Sequence, residues 1–325
     1  MRYAVLADIH GNAPGLEKVL EDANAWGAEG YLFLGDYTGE FPWPNEVIDR
    51  IQSLKNAVFI GGNREDYIAK MTKEDPITWV WNHQATLYWN MEELTKENKA
   101  FLLTLPEQIT VEKGTHRLYL AHRLETFLPK EESPLIYPAD LGDVKPFVRG
   151  ADMSKHLKKQ LMQREELKKM FDSLDQGIYL FGHNHMPWLS VFRQKIFINP
   201  GAIGLTLDGD YRLSYIRLEL GENRIKGKVV RLPYDREKMV RAIRQSTLYQ
   251  RAWDWAEITI ENLYTARDEV HKAFLAAKTL AKEKKIPYTF PLHNQLWNEG
   301  FARWRENLPV REEGKEMGKS EKIPK

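Results

Sequence analysis

The sequence predicts an α/β fold, because short apolar runs alternate with helical patterns near its N-terminus. The runs are typical of buried strands, and they occupy residues 3–7, 31–34 and 57–60. Helical patterns separate them at residues 14–23 and 47–54, and the first of these opens at a proline. Strands and helices that alternate in this way favour a βαβ core.

Strand-like runs and helical patterns continue to about residue 234. Residues 79–104 have the pattern of two helices, and residues 153–173 have that of a charged amphipathic helix. Residues 123–151 hold four prolines and are expected to form a loop or lid. We therefore predict one domain over residues 1–234, with a lid or insert at about 123–172. Further strands are predicted at residues 118–121, 178–181, 188–192, 195–198, 212–220 and 225–232.

The pattern becomes helical after Tyr234, and Gly300 is one of its few breaks. We predict a helical extension over residues 235–310 and a disordered tail over residues 311–325, where charged residues dominate. Tryptophans at helical spacing in the extension predict packing on the first domain, a homodimer contact or a protein partner. They are Trp253, Trp255, Trp297 and Trp304.

Composition excludes several classes of site. The 325 residues are 42% hydrophobic and 29% charged, which is ordinary for a globular protein. The net charge of +1 indicates no polyanionic partner, and the absence of cysteine excludes disulfides and zinc–thiolate sites. No apolar stretch approaches the roughly 20 residues that span a bilayer, and the first run is too short for a signal peptide. The sequence therefore predicts a cytoplasmic protein without a membrane segment.

Metal-binding residue types follow five of the predicted strands, at the point where each strand ends. Because ligands bind at the carboxyl ends of strands in open α/β sheets, we expect these side chains to share one rim. A lone aspartate after a strand usually caps a helix, and a lone histidine is usually structural. Five such segments in order instead favour a metal site. The predicted ligands are Asp8, His10, Asp36, Asn63, His122, His183 and His185.

The donor set suits a centre with two divalent metal ions. Carboxylate, imidazole and amide donors accommodate Mn, Fe, Zn and similar ions. Seven protein ligands are too many for one catalytic ion with an open position, whereas two ions with a bridging carboxylate would use them all. Two ions about 3.5–4 Å apart can activate a bridging water and clamp a phosphoryl oxygen without a protein nucleophile.

Five blocks around these residues resemble the calcineurin-like metallophosphoesterase superfamily, in its small bacterial and archaeal phosphodiesterase branch. The stretches at residues 97–106 and 198–204 are similar to the same branch. The resemblance extends over about residues 1–232 and does not include the helical region. The blocks are Asp8-Ile9-His10, Gly35-Asp36, Gly62-Asn63-Arg64-Glu65, His122 and Gly182-His183-Asn184-His185.

The resemblance implies a four-layer αββα sandwich, in which two packed sheets are flanked by helices and hold two metal ions between them. Asp36 would bridge the ions, and a hydroxide between them would hydrolyse a phosphomonoester or phosphodiester. We expect manganese, with iron, zinc, nickel or cobalt as alternatives. One ion would be bound by Asp8, His10, Asp36 and His185. The other would be bound by Asp36, Asn63, His122 and His183.

The residue after Asn63 departs from the pattern of many superfamily members. They carry a histidine there that is thought to act as general acid, whereas this chain has Arg64. Arginine is a poor proton donor, but its charge can stabilise phosphate in the transition state. This favours phosphodiesters or activated, nucleotide-type esters as substrates. We predict Asp36, Asn63 and Arg64 as catalytic residues.

Two further residues are predicted to contact the substrate together with Arg64. Arg123 follows a predicted ligand, at a position where many members have glycine, and its side chain either faces the substrate or points outward. Asn12 either donates to a phosphate oxygen at the N-terminus of the first helix or caps that helix.

Two other functions stay open from the sequence. A Ser/Thr-type protein phosphatase would use the same ligands, although Arg64 in the acid position weighs against it. A non-catalytic metal-binding scaffold would use the C-terminal helices for protein interaction, since a fold does not determine a function. The sequence shows no Gly-rich nucleotide-binding loop and no nucleic-acid-binding module. The expected partner is a phosphate-ester substrate, and a nucleotide is one candidate.

Overall fold

The computed structural model describes residues 1–128 and 165–309. The part of the predicted lid between residues 129 and 164 and the predicted disordered tail at 311–325 lie outside the described residues. Of the helix predicted over residues 153–173, only the last nine residues are described. Within the described ranges, no helix is both long enough and apolar enough to cross a membrane.

The first sheet contains the predicted βαβ core. Its three parallel strands pair in chain order, and two later antiparallel strands extend the sheet from the first of them. The strands are β1 (Arg2–Leu6), β2 (Gly30–Phe33), β3 (Ala57–Phe59), β9 (Leu213–Leu220) and β10 (Ile225–Leu232). Their spatial order is β10-β9-β1-β2-β3.

The second sheet also mixes parallel and antiparallel pairs. Its strands are β4 (Gln108–Lys113), β5 (His116–Ala121), β6 (Ile178–Leu180), β7 (Pro187–Phe192) and β8 (Lys195–Pro200), in the spatial order β4-β5-β6-β8-β7. The sequence did not predict β4. It is an edge strand without a fully buried residue, so polar and charged side chains replace the apolar run that marks a buried strand.

The two sheets pack face to face through the side chains that alternate inward along each strand. In β1, for example, Val5 faces the other sheet, whereas Leu6 faces the helices. The first sheet contributes Tyr3, Val5, Leu32, Ile216 and Leu218 to this inter-sheet core. The second sheet contributes Leu118, Leu120, Ile178, Leu180 and Ile198.

Helices cover the outer face of each sheet, which completes the four-layer αββα sandwich and confirms the predicted fold class. On the second sheet, Phe171 of α6 (Glu165–Ser173) packs against Tyr179 and Phe197. The helices on the first sheet are α1 (Ala13–Trp26), α2 (Pro44–Gln52), α3 (Asn63–Met71), α4 (Ala85–Glu93) and α5 (Lys96–Leu103).

The predicted helical extension begins at Arg236. Its first three helices belong to the compact unit Met1–Val270, where they pack on Phe41 and Leu205. The domain boundary predicted at residue 234 falls inside this unit and stays a prediction. The helices are α7 (Arg236–Arg244), α8 (Thr247–Arg251) and α9 (Trp253–Thr265).

The second compact unit, His271–Lys325, contains most of α10 (Glu269–Lys284) and all of α11 (Asn294–Glu306). Gly300 was predicted to interrupt the helical pattern, and that prediction is wrong because α11 runs through it. A Cβ atom at Gly300 would lie only 2.5 Å from the Cβ of Ala277, so the glycine permits close packing of the two helices.

We expect Leu180→Ala to lower the free energy of unfolding by about 2–5 kcal/mol, because it leaves a cavity between the sheets. Leu180 is completely buried in the inter-sheet core. Urea denaturation followed by circular dichroism measures the loss. Leu103→Ala removes the same atoms from a side chain that is 47% exposed, and it should cost less than about 1 kcal/mol. Equal losses in the two variants would contradict this account of the core.

Candidate metal centre

Strand ends from both sheets bring the seven predicted ligands together at one end of the inter-sheet core. Asp8, Asp36 and Asn63 follow β1, β2 and β3 of the first sheet. His122 follows β5 and His183 follows β6 in the second sheet. The rim predicted from strand ends therefore belongs to two facing sheets rather than to a single open sheet.

Most of the seven residues lie in left-handed turns. L-residues rarely adopt this conformation, and such residues cluster at functional sites. Backbone hydrogen bonds hold the turns, since the amide of Asp8 donates to Gly35 O at 3.1 Å and that of His10 donates to Asp36 O at 3.0 Å. The five residues with φ between 52° and 70° are Asp8, His10, Asp36, His183 and His185.

A first group of donors consists of Asp8, His10 and His185, whose ligand atoms lie within 4.8 Å of one another. His10 Nε2 is 3.2 Å from His185 Nε2, and His185 Nε2 is 3.5 Å from Asp8 Oδ1. Asp36 Oδ2 lies 3.7 Å from His10 Nε2. All four side chains are buried.

A second group consists of Asp8, Asp36 and His122, with the same spacing. His122 Nε2 lies 3.4 Å from Asp36 Oδ2 and 3.9 Å from Asp8 Oδ1. Asn63 Oδ1 lies 3.1 Å from His122 Nε2 and 2.8 Å from His183 Nδ1. Asp36 Oδ2 thus lies between His10 and His122, where a ligand shared by both groups would have to be.

The protonation of the imidazoles fits a cation site. His185 Nδ1 lies 2.5 Å from Leu205 O, and His122 Nδ1 lies 2.7 Å from Leu34 O. A carbonyl oxygen only accepts, so Nδ1 of each ring carries a proton, and Nε2 is the inward-facing atom that can bind a metal in place of a proton. Glu40 lies 2.7 Å from His10 Nδ1 and favours the same tautomer there. The Nε2 atoms of His10 and His185 face each other at 3.2 Å, so a proton or a metal ion must lie between them, and the donor set fits a divalent metal.

Charge–charge interactions polarise the second group. Burial raises the pKa of Asp8 to about 7, and neighbouring Asp36 adds to that increase. Burial also raises the pKa of Asp36, but the charge and hydrogen bond of His122 outweigh it and hold that pKa well below its usual value. Burial lowers the pKa of His122, yet Asp36 and Asp8 raise it to about 9. Positive charge is therefore strongly favoured at the point where His122 faces the two carboxylates, whether a proton or a metal ion supplies it.

The other two histidines of the second sheet are neutral at physiological pH. Burial, with the charge of His122, lowers the pKa of His183 to about 3. Burial, with the charge of His10, lowers the pKa of His185 to about 3. A neutral imidazole is the form that binds a metal, so both rings are ready to act as ligands.

Glu40 belongs to the site although the sequence did not point to it. Its carboxylate is completely buried, lies 2.7 Å from His10 Nδ1 and forms an ion pair with the Arg64 guanidinium. Burial raises its pKa, but the charges of Arg64 and His10 outweigh that and lower the pKa to about 2. Carboxylates that hold metal-binding imidazoles in this way fix the ring orientation. No local pattern marks Glu40, because only the approach of two distant loops makes it a neighbour of His10.

Glu65 organises the loop that carries Asp36. Its buried carboxylate accepts hydrogen bonds from the amides of Asp36, Tyr37 and Gly62 at 2.9, 3.0 and 2.8 Å. Glu65 is the third residue of α3, where a glutamate commonly reaches back to the residue before the helix. That capping pattern is the sequence signal for its role. A side chain on Gly62 would collide with Asp36 Oδ1, so the glycine is needed for this close approach.

Asn199 supports the loop with His183 and His185. Its amide donates to Gly182 O at 2.7 Å and to Asn184 Oδ1 at 2.9 Å, and its own oxygen accepts from the amide of Gly201 at 2.8 Å. All of these contacts are buried. They give a structural reason for the Asn-Pro-Gly run at residues 199–201.

The three predicted substrate-binding residues are placed differently. The amide of Arg64 donates to Asp36 Oδ1 at 2.8 Å, and the side chain pairs with Glu40. Arg123 is half-buried, and its charge contributes to the low pKa of His183, which places the guanidinium near the second group. The side chain of Asn12 is fully buried: it accepts from Gly15 N at 2.9 Å and donates to Ile203 O at 2.8 Å. These contacts show the helix-capping role of Asn12, and substrate binding by it stays a prediction that the burial does not favour.

Comparisons with known proteins identify the family to which the chain belongs. The family model described as calcineurin-like phosphoesterase superfamily domain matches residues 1–223. An uncharacterized protein from Methanocaldococcus jannaschii is 25% identical over 263 residues, which are 75% of this chain and 93% of that protein.

Two solved structures share the fold. A metallophosphoesterase from Sphaerobacter thermophilus matches with a TM-score of 0.59 and 21% identity, over 82% of this chain and 99% of that one. A hypothetical protein from Pyrococcus horikoshii matches with a TM-score of 0.57 and 21% identity, over 79% of this chain and 97% of that one. At this identity the likeness shows the fold alone.

We expect Glu65→Ala to lower the free energy of unfolding by about 2–5 kcal/mol, because it leaves three buried amides without an acceptor. Glu65→Gln keeps one acceptor oxygen and should lose less. Asp66→Ala removes an exposed acidic side chain from the next position of α3 and is the matched control. Chemical denaturation measures all three. A Glu65→Ala protein as stable as Asp66→Ala would show that the carboxylate does not organise the loop.

Proposed function

The chain belongs to the calcineurin-like phosphoesterase superfamily, and from this premise we propose that it is a phosphoesterase that uses two divalent metal ions. The convergence of seven mostly buried N and O donors, five of which form two groups with metal-ligand spacing, carries the proposal. Manganese is the metal that we propose, with iron, zinc, nickel or cobalt as alternatives. The proposed substrate is a phosphodiester or a nucleotide-type phosphate ester.

The proposed ligand sets follow the two groups. Asp8, His10 and His185 would hold one ion, and Asn63, His122 and His183 would hold the other. Asp36 would contribute to both, because its Oδ2 atom lies 3.7 Å from His10 Nε2 and 3.4 Å from His122 Nε2. When bound, a pair of divalent ions supplies an activated water at neutral pH and stabilises negative charge on the phosphoryl group.

Arg64 is the residue whose chemistry limits the substrate. Its amide contacts Asp36 and its guanidinium contacts Glu40, so the side chain lies beside the proposed bridging carboxylate. A guanidinium stays protonated and cannot transfer a proton to a leaving group, although its charge can stabilise phosphate oxygens. Substrates whose leaving groups depart without protonation are therefore favoured. Aryl diesters have such leaving groups, and so do nucleotide-type substrates whose leaving group is itself a phosphate.

The two alternative functions fit the site less well. A Ser/Thr protein phosphatase must expel an alkoxide from serine or threonine, and Arg64 offers no proton for that step. A non-catalytic scaffold has no reason to keep all seven proposed metal donors together, and one that binds metal is distinguished from the enzyme by the absence of hydrolysis. The cytoplasmic location and a contact between copies or with a protein partner through the C-terminal helices stay predictions.

We expect the purified protein to hydrolyse bis(4-nitrophenyl) phosphate only with added divalent metal, and Asp36→Asn to lower kcat/KM at least about 100-fold. The change removes the charge that would be shared between the two ions. Release of 4-nitrophenolate measures the rate, and Asp66→Asn, at an exposed position, is the matched control. Absence of turnover with each of Mn, Ni, Co, Zn, Fe and Mg would count against the proposed activity.

Arg64→His tests the role of the missing acid. In a series of diesters with leaving groups of increasing pKa, the wild-type rate should fall steeply. Arg64→His should flatten this dependence and raise the relative rate of the poorest leaving groups by about tenfold or more. Arg117→His, at a side chain that is 52% exposed, controls for the change of residue type. The same steep slope in the Arg64→His protein would show that Arg64 does not occupy the acid position.

A further inference from the structure

We propose that helices α7–α9 are a positioning element for one half of the metal centre, the half that contains His10 and His185. The inference rests on the proposed function, because it concerns the ligands of the proposed ions. These helices lie beyond residue 223, where the family match ends. Their apolar side chains form one buried cluster with two residues of the site loops. We call it the Phe41–Leu205 cluster, and it consists of Phe41, Leu205, Met239, Val240, Ile243, Ala256, Ile260 and Leu263.

The first link runs through Leu205. Its carbonyl oxygen lies 2.5 Å from His185 Nδ1 and sets both the tautomer and the orientation of that ring. Its side chain is only 4% exposed and packs in the Phe41–Leu205 cluster. Thr206 follows Leu205 in the chain, and its carbonyl oxygen accepts a hydrogen bond from the side-chain amide of Asn262 on α9, at 3.1 Å. Helix α9 therefore holds the short segment that orients His185 by packing and by a hydrogen bond.

The second link runs through the segment Gly39–Phe41. The amide of Phe41 donates to His10 O at 2.9 Å, and neighbouring Glu40 contacts His10 Nδ1. The Phe41 side chain is completely buried in the same cluster. The segment Gly39–Phe41, which packs against α7 and α9, thus holds both the main chain and the imidazole of His10.

Helix α4 provides a further connection to this segment. The side-chain amide of Asn90 donates a hydrogen bond to Gly39 O at 2.9 Å. The neighbouring indole, Trp89 Nε1, donates to Thr247 Oγ1 on α8 at 3.2 Å. The loop of Glu40 is therefore enclosed between α4 and the C-terminal helices.

The other half of the site is held differently. His122 Nδ1 donates to Leu34 O directly after β2, and Leu34 belongs to the inter-sheet core. Asn63 is the first residue of α3. The amide of His183 donates to Asp8 Oδ1 at 3.1 Å. None of these partners belongs to the Phe41–Leu205 cluster. Loosening that cluster should therefore weaken the binding of the ion near His10 and His185 and leave the binding of the other ion unchanged.

The test is a count of Mn²⁺ ions bound by the full chain, by equilibrium dialysis and metal analysis. The wild type is expected to bind two. In Ile260→Ala, which opens the Phe41–Leu205 cluster, the affinity for one ion should fall about tenfold or more, as when an outer partner of a metal ligand is lost. The affinity for the other ion should not change. Asn262→Ala is a milder second variant, and it should shift the same ion in the same direction.

Ile51→Ala is the matched control, since Ile51 is equally buried but lies in the core between the first sheet and its helices. It should lower stability without changing either affinity. To assign the weakened ion, Ile260→Ala is combined with His185→Ala or with His122→Ala. The combination with His185→Ala should bind its remaining ion as tightly as His185→Ala alone does. The combination with His122→Ala should bind its remaining ion more weakly than His122→Ala alone does.

The outcomes separate this inference from the proposed function. A wild type that binds no metal overturns both. A wild type with two ions, whose affinities survive Ile260→Ala and Asn262→Ala unchanged, overturns this inference alone. Equal weakening of both ions, or the same weakening in Ile51→Ala, would show a general loss of stability and would also overturn it.

Discussion

The structure depends on one constraint: N and O donor atoms of seven mostly buried side chains face each other at one end of the inter-sheet core. Such an arrangement requires positive charge from protons or metal ions, since buried carboxylates without a positive partner cost free energy. The surroundings are organised to hold it in place. Strand ends of two sheets supply the residues, left-handed turns aim them, and Gly62 permits the approach of its loop to Asp36. Carbonyl groups of Leu34 and Leu205 hold the δ-nitrogen protons of two histidines and turn their ε-nitrogens inward.

The ion pair of Glu40 and Arg64 connects this centre to the substrate chemistry that we propose. Glu40 contacts His10 on one side and Arg64 on the other, so the position usually associated with proton donation is tied to a metal-binding imidazole. The Arg64 guanidinium stays positively charged, with Glu40 as its counter-ion, so no group that titrates near neutral pH occupies that position. The enzyme that results would depend on its metal ions and on the leaving group itself, which is why activated esters suit it. The same loop packs against α7 and α9, and on this contact rests the inference that these helices position one half of the centre.

The same feature of the sequence predicted the strands and the proposed ligands of this site. Asp8, His122 and His183 each follow an apolar run closely, and a run of that kind is visible without knowledge of the fold. Glu40 could not be assigned from the sequence alone, because His10 and Arg64 lie in other segments and only tertiary packing brings them to it. Glu65 has a capping signal in the sequence, but its contact with Asp36 depends on the fold, as do the contacts of Asn199 with Gly182 and Asn184. The edge strand β4 was missed because burial, which marks a strand in sequence, is slight there. Gly300 was misread because a glycine that ends one helix looks the same as one that lets two helices touch.

The central claim is that two metal ions lie between the His10–His185 pair and the group around His122. The most direct measurement is anomalous X-ray diffraction at the manganese absorption edge, from crystals grown with Mn²⁺. The account predicts two anomalous peaks about 3.5–4 Å apart, with the Asp36 carboxylate between them. A single peak, or two peaks that do not contact both groups of donors, would contradict it.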